Sequence, residues 1–373
     1  MSSDSSLLKG MLLLTALSCL PLTAFGQNAP RVAPVPRDPL ELATGPIQAA
    51  GNTPASREAA LQLLARARTS FALRSAGQGY DLKVSFTVDS LGETNYDGAW
   101  QMEDLFVPGR GHRWTASAAS GYTTTGIATA GEIYGDSAAR AVPLRLLEAR
   151  GLLFDPVQSP AYAGRGSIRT AAASFHGAPV TCLLLSRSRN TAHLAAGRDW
   201  EETEECIDPQ SGLLQMHSEA PGHYAVYDYS NAPQLGDRIL PRSVTITEAG
   251  RIVSTISVES IQGITAADPA LFVPSDAMKA NGPAVAMTSA TKVSRVAAQG
   301  PFTPAMTLRP VCVFGMVTPT GHLVEAHALQ PSDPNSQAAV EDARKIDFSP
   351  LTPAGSPPRQ HFVFVIEKFV SRQ

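Results

Sequence analysis

The sequence has little charge and few cysteines for its length. Charged side chains make up 17% of the 373 residues, whereas an average soluble domain has roughly 25%. The 30 basic and 33 acidic residues give a formal net charge of −3, which excludes a strongly basic surface for nucleic acid or anionic membranes. Four cysteines are too few for a dense disulfide scaffold. The hydrophobic fraction of 43% is sufficient for a core, and the length suggests two to three domains.

The sequence also lacks the motifs of common catalytic sites. It contains no G-x-S-x-G elbow, no H-E-x-x-H, no C-x-x-C and no glycine-rich nucleotide-binding pattern in a suitable context. The eight histidines are scattered, and the one local cluster is His322, Glu325 and His327. Only Glu325 and His327 would share a strand face, and two ligands do not make a metal site. We therefore predict no catalytic residue, no metal and no cofactor; a secreted hydrolase with a dispersed site is the remaining enzymatic alternative.

The first residues, Met1–Gly26, are typical of a secretory signal peptide. The apolar stretch Met11–Phe25 is interrupted by threonine, serine and proline, and small residues precede the expected cleavage before Gln27. This stretch is shorter than the about twenty apolar residues that span a bilayer. We expect a protein that is exported and soluble. Retention of the segment as an inner-membrane anchor and lipidation of Cys19 are the alternatives.

The rest of the chain divides by composition. Residues 27–52 are rich in proline and alanine and predict a flexible leader. Residues 53–275 contain the main run of helix and strand patterns. Residues 276–306 are rich in small and polar residues without periodicity, which predicts an interdomain linker. Residues 307–373 carry a second, shorter set of patterns and are predicted to form a separate domain.

The patterns in residues 53–275 predict one antiparallel sheet with covering helices. Thr53 can cap a helix that starts at Pro54, and apolar residues recur on one helical face up to Phe71. From Tyr80 the apolar residues alternate with polar ones, as in a half-buried strand, and similar short runs recur to about residue 265. A second short helix is expected over Ala141–Leu152. The fold class is therefore α+β, with helices on one face of a long sheet.

The last region predicts a compact β-β-α-β unit. Its elements are strands over Val311–Val317 and His322–Leu329, a helix from about Asn335 to Ile346, and a strand over His361–Phe369. Small residues on one helix face, including Ala339 and Ala343, permit close packing against the sheet.

The same region resembles the C-terminal domain of TonB-type energy transducers. The features that match are Gly321 closing a turn, an Ala-rich helix after Pro334, Phe348-x-Pro350, Gly355-x-Pro357 and a final apolar strand. The resemblance implies docking to an outer-membrane transporter or another envelope protein by strand addition. It places the partner-binding strand at Phe362, Val363, Phe364, Val365 and Ile366.

Residues of about 54–275 resemble the LolA type of periplasmic lipoprotein carrier. The matching segments are Gly98-Ala99-Trp100, Pro108-Gly109-Arg110 before Trp114, Asp208–Leu214, Leu240-Pro241 and Asp268–Pro274. The resemblance implies an antiparallel half-barrel closed on one side by helices, with a groove that takes an acyl chain or a lipidated partner.

Three cysteines follow the signal segment. Cys182 and Cys206 lie on strand patterns that can be neighbours in an antiparallel sheet, and an oxidising compartment favours a disulfide between them. Cys312 alternates with apolar residues and is expected to be buried. The acidic run from Asp199 to Glu205, around Trp200, is interpreted as the solvated flank of a hairpin.

These observations predict a non-enzymatic binding protein of the periplasm. Its C-terminal module would dock to outer-membrane transport components, and its half-barrel would hold an apolar or lipidated ligand. The alternative is a TonB-type energy transducer anchored in the inner membrane through an uncleaved N-terminal segment, facing the periplasm. No nucleic-acid partner is expected.

Overall fold

The computed structural model describes residues 31–33, 48–49, 53–91, 96–129, 132–138, 142–187, 197–282, 286–297, 306–349 and 359–372. The predicted signal peptide, Met1–Gly26, and most of the predicted leader lie outside these residues. Within the part of the chain that is described, no helix is long and apolar enough to cross a bilayer.

Five α-helices are present in these ranges. They are α1 (Pro54–Ser70), α2 (Leu144–Phe154), α3 (Pro160–Ala163), α4 (Asp276–Asn281) and α5 (Ser336–Ala343), with short 3-10 helices at Leu73–Ala76 and Pro269–Phe272. The start of α1 agrees with the sequence prediction, because the Thr53 hydroxyl accepts a hydrogen bond from the Ser56 amide and Pro54 occupies the first turn.

Most of the strands form one large sheet. Its strand order is β2-β8-β9-β10-β11-β12-β15-β16-β3-β4-β5-β6-β7, and all its neighbouring strands are antiparallel. The order has two ends, so the sheet is open, as a half-barrel is. The strands are β2 (Gln48–Ala49), β3 (Gly79–Val88), β4 (Gly98–Val107), β5 (Gly111–Ala118), β6 (Thr123–Thr129), β7 (Glu132–Gly135), β8 (Ser167–Phe175), β9 (Ala178–Ser186), β10 (Thr203–Ile207), β11 (Leu214–Ala220), β12 (His223–Asp228), β15 (Ser243–Glu248) and β16 (Arg251–Ile264). We call this sheet, with α1–α3, the sheet unit.

The remaining strands form two smaller sheets. β13 (Gln234–Leu235) and β14 (Arg238–Ile239) make a short hairpin. A five-stranded sheet contains β1 (Arg31–Val32), β17 (Ala286–Val296), β18 (Met306–Val317), β19 (Leu323–Ala328) and β20 (Arg359–Arg372). Its order is β1-β18-β20-β17, and β19 also pairs with β18. We call this sheet, with α5, the C-terminal unit.

The C-terminal unit contains the predicted β-β-α-β order as β18, β19, α5 and β20. It also contains two strands from regions where none was predicted. β1 comes from the predicted leader, and β17 comes from the predicted linker of residues 276–306. The linker prediction is therefore wrong for Ala286–Val296, and α4 adds a helical turn before it. The patterns missed β17 because its apolar residues do not alternate cleanly and its many alanine, serine and threonine residues are typical of linkers.

The small sheet of the C-terminal unit is covered on both faces. Ala339 and Ala343 of α5 pack with Val311 and Val365 on one face, and all four side chains are fully buried. On the other face, Phe314, Met316, Phe364 and Ile366 join the core of the sheet unit. The two units therefore share a hydrophobic core.

Side chains of the protein itself fill the space where the resemblance predicts an acyl-chain groove. Leu64 of α1 and Leu147 of α2 pack in one cluster with Trp100 and Tyr227 of the sheet, and each of these is at most 2% exposed. The phenyl ring of Phe314 extends the same cluster from the C-terminal unit. In this conformation the covered face of the sheet is a packed core.

Candidate functional site

The predicted partner-binding strand lies in the middle of its sheet. Phe362–Ile366 is part of β20, which pairs with β18 on one side and with β17 on the other. A strand with neighbours on both sides has no free main-chain groups for an added peptide. The strand addition predicted at Phe362–Ile366 would need a free edge of β20, and β17 already occupies that edge.

β17 is the terminal strand of this sheet on that side, and its amide directions can be assigned. The Ala297 amide donates to the Lys368 carbonyl of β20 at 3.0 Å. Because N–H groups alternate in direction along a strand, the amides of Arg295 and Val293 also point to β20. The Ser294 amide then points away from the sheet. N–H groups alternate along β20 in the same way, so the Val365 amide of that strand points to β18.

A cavity of about 660 Å³ lies beside β17, where the sheet unit meets the C-terminal unit. We call it the junction cavity. Ala290, Thr291, Lys292 and Ser294 all line it. Consecutive strand residues point to opposite faces, so a cavity that touches both Thr291 and Lys292 meets the outer edge of the strand. The opposite walls come from the 155–159 loop, α3 and the ends of β9, β10 and β11.

Paired charges form the floor of the junction cavity. The Lys292 ammonium donates to the Thr203 hydroxyl at 2.5 Å and lies 3.4 Å from the Glu219 carboxylate. Burial lowers the pKa of Lys292, and the Glu219 charge opposes this shift. Lys368 of β20 binds the Glu201 carboxylate at 2.9 Å. These contacts hold β17 and β20 against β10 and β11.

Two further titratable groups are buried below this floor. The Glu205 carboxylate accepts a hydrogen bond from the Gln158 amide, yet burial raises its pKa to about 8. Burial lowers the pKa of His217 to about 4. The two side chains lie 3.9 Å apart, and at neutral pH both are therefore mainly uncharged.

The acidic run that was interpreted as a solvated flank is in fact largely internal. Glu202, Glu204 and Glu205 are at most 7% exposed. Glu202 forms a bidentate pair with Arg169, and Glu204 lies 3.3 Å from Arg198. Local sequence patterns could not reveal the pairing of Glu202 with Arg169, because the two residues are 33 positions apart and are brought together only by the fold.

The mouth of the junction cavity carries exposed groups. The Arg187 guanidinium lies 5.6 Å from the centre of the Tyr162 ring, and Tyr162 is 41% exposed. Arg68 binds Asp155 at 2.6 Å on the same rim. His361 of β20 also lines the cavity; its side chain is buried, and its Nε2 has no hydrogen-bond partner among the described residues.

A second polar cluster joins the two units. Arg145 of α2 donates to Glu248 at 2.5 and 2.9 Å and to Glu148 at 2.7 Å. His327 of β19 contacts Glu248 at 2.6 Å, and His223 contacts Glu148 at the same distance. All five side chains are at most 8% exposed. The Arg145 charge and the His327 hydrogen bond lower the pKa of Glu248.

Two members of the His322, Glu325 and His327 group discussed in the sequence analysis make contacts between the two units. His327 contacts a carboxylate of the sheet unit, and Glu325 accepts a hydrogen bond from the Leu144 amide. Glu148, His223 and Glu248 lie close enough to share an ion, but Arg145 already binds both carboxylates. A cation there would have to displace a buried guanidinium.

The predicted disulfide between Cys182 and Cys206 is confirmed. The two residues are directly opposite each other on the adjacent strands β9 and β10, and their sulfur atoms are bonded. Cys312 is a buried free thiol, as expected. Glu204 lies next to the disulfide, but both sulfur atoms are committed to the bond and are not metal ligands.

No protein-family model and no curated protein match this chain. Solved structures that match include a LolA superfamily protein from Nitrosomonas europaea, with 8% identity and a TM-score of 0.34 over 57% of this chain and 96% of that one. A putative outer membrane lipoprotein-sorting protein domain from Vibrio parahaemolyticus matches with 11% identity and a TM-score of 0.30, covering 58% and 95%. The complex of MucA and MucB from Pseudomonas aeruginosa matches with 12% identity and a TM-score of 0.28, covering 67% and 68%. Because these similarities are low, no residue role is transferred from them. The TonB resemblance of the last region stays a prediction.

Proposed function

We propose that this protein is a non-enzymatic binding protein of the cell envelope that docks an extended segment of a partner protein in the junction cavity. The observation that carries the proposal is the outer edge of β17, which lies along the cavity without a neighbouring strand among the described residues. Outward amides such as that of Ser294 offer the main-chain hydrogen bonds of strand addition.

The proposal keeps strand addition as the mode of docking and places it at β17 in place of β20. The TonB resemblance implies strand addition at Phe362–Ile366, but β17 already pairs there. An incoming segment would extend the sheet by one strand beyond β17. Export by the predicted signal peptide would place the protein in the periplasm, where an outer-membrane transport component is the expected class of partner.

The acyl-chain ligand implied by the LolA resemblance is not part of this proposal. α1, α2 and Phe314 fill the corresponding space, and a chain of methylene groups would have to displace packed side chains. The junction cavity contains charges of both signs, which suit a peptide better than an acyl chain.

Selection from a displayed library of random heptapeptides, with the full chain as the target, tests the proposal. We expect enriched peptides that bind the wild-type protein and lose affinity for Ser294→Pro, which removes an outward amide. Ser294→Ala is the matched control, because the Ser294 hydroxyl also contacts Glu201 and alanine removes that contact while keeping the amide.

A second pair of variants tests the cavity itself. Ala290→Trp places a large ring in the cavity, whereas Ala161→Trp adds the same ring at an exposed position of α3 that does not line it. Binding should be lost only in Ala290→Trp. Absence of any enriched peptide, or equal binding by all four variants, would refute the docking function.

A further inference from the structure

The charges around the junction cavity are unevenly matched. Each carboxylate that lines it has a cationic partner within 4 Å: Asp155 has Arg68, Glu201 has Lys368 and Glu219 has Lys292. Arg187 lies at the mouth, is exposed, and has no carboxylate at that distance among the described residues. A positive charge at the entrance is therefore available to a ligand.

The position of the Arg187 guanidinium is suited to an anionic group. Its central carbon lies 5.6 Å from the centre of the Tyr162 ring, and Arg187 is exposed, so the ring restrains the guanidinium while its N–H donors stay accessible. A guanidinium presents several donors in one plane, which matches the two oxygens of a carboxylate.

His361 provides an independent sign that the cavity takes a polar ligand. His361 is 4% exposed, and its Nε2 has no hydrogen-bond partner among the described residues. Buried polar atoms in folded proteins are nearly always hydrogen-bonded. A ligand group that reaches this nitrogen would supply the missing bond, which an acyl chain could not do.

We infer that the docked segment is acidic, with a carboxylate side chain bound at Arg187 and a polar group directed toward His361. This inference rests on the proposed function and specifies the chemistry of its partner. The outward amides of β17 hold the main chain of the segment, and Arg187 selects among segments by charge. Lys292 is neutralised by Glu219 and contributes less to this selection.

The composition of the enriched heptapeptides is the first test. Acidic residues should be more frequent among them than in the starting library. One enriched peptide is then synthesised in three forms, with Glu, Gln or Lys at its acidic position. The wild-type protein should bind the Glu form about three- to fivefold more tightly than the Gln form, as a partly exposed ion pair allows, and the Lys form most weakly.

Charge reversal at the mouth is the decisive variant. Arg187→Glu should invert the order, so that the Lys form binds most tightly. Arg110→Glu makes the same change at an exposed arginine that does not line the cavity and should leave the order unchanged. The imidazole ¹⁵N signals of His361 should shift when the Glu form is added to the full chain.

The outcomes separate the two proposals. Equal affinities for the three forms, an unchanged order in Arg187→Glu, or unchanged His361 signals would overturn the acidic-segment inference while peptide docking stands. Failure to enrich any peptide would count against docking itself and against the inference with it.

Discussion

At the scale of single residues, burial decides which charges the fold tolerates. The acidic residues of 199–205 look like surface residues in the sequence, but pairing with Arg169 and Arg198 allows two of the carboxyl groups, those of Glu202 and Glu204, to be buried. Glu205 lacks such a cation and is held mainly protonated near neutral pH, because burial raises its pKa to about 8. Local patterns cannot distinguish these cases, because they do not show which carboxylate meets a cation in the folded chain.

Glu205 predicts a pH dependence of stability. The raised pKa means that the folded state binds a proton which the unfolded state releases above about pH 4.5. Its contribution to the free energy of unfolding therefore falls as pH rises toward 8. Between about pH 4.5 and 6.5 His217, with its lowered pKa, opposes this slope, so the Glu205 effect emerges from pH 6.5 to 8.

Glu205→Gln should flatten this dependence. Over that interval the variant should lose about 2 kcal/mol less unfolding free energy than the wild type. Urea unfolding at several pH values between 6.5 and 8 measures the difference. Parallel pH profiles for the two proteins would mean that Glu205 is ionised in the folded state.

The Glu248 carboxylate at the junction of the units gives a second residue-scale prediction. Glu248→Ala removes a charge that binds both Arg145 and His327 and leaves the guanidinium buried with Glu148 alone. We expect a loss of about 3–5 kcal/mol in denaturant unfolding. Asp89→Ala, which removes an exposed contact with Arg251, should cost less than about 1 kcal/mol. Equal losses of unfolding free energy in the two variants would mean that the buried charges contribute no more to stability than an exposed ion pair.

At the scale of elements, the sequence predicts those segments whose own residues carry the pattern. α1 has a cap, an initial proline and an apolar face, and β3 alternates from Tyr80 to Val88 with every second residue buried. β17 has no such pattern. It is a strand because the open side of β20 and the contacts of Lys292 with β10 and β11 hold it there, and these are tertiary effects.

The disulfide between β9 and β10 should stabilise the folded protein. It joins residues 24 apart in sequence, so closing this loop in the unfolded chain corresponds to on the order of 3 kcal/mol. The double variant Cys182→Ala/Cys206→Ala should lose about that much in guanidinium unfolding. The wild type treated with a reductant under unfolding conditions should match it, and an unchanged midpoint in both would contradict this role.

At the scale of the whole molecule, the sequence suggests two separable regions, whereas the structure joins them. The β-β-α-β order of the C-terminal unit follows from its residues, but the burial of Phe314 and Phe364 in the core of the sheet unit does not. β18 and β20 carry buried apolar side chains on both faces, which is the signal that a second covering layer is needed. α5 covers only one face.

This shared core changes what is expected of an isolated C-terminal fragment. Residues 307–373 alone lack β17 and expose the face that contains Phe314, Met316, Phe364 and Ile366. We expect this fragment to give a poorly dispersed NMR spectrum and to bind a dye for exposed apolar surface. A monomeric fragment with a well-dispersed spectrum would show that the unit folds without its partner layer.

Amide hydrogen exchange of the full chain, with and without an enriched heptapeptide, tests the central claim most directly. In the free protein the outward amides of Lys292, Ser294 and Val296 should exchange quickly, because β17 has no outer neighbour among the described residues. Bound peptide should slow exchange at these three amides, while those of Val293 and Arg295, which face β20, change little. Protection that appears in β20 instead, or nowhere along β17, would contradict docking at this edge.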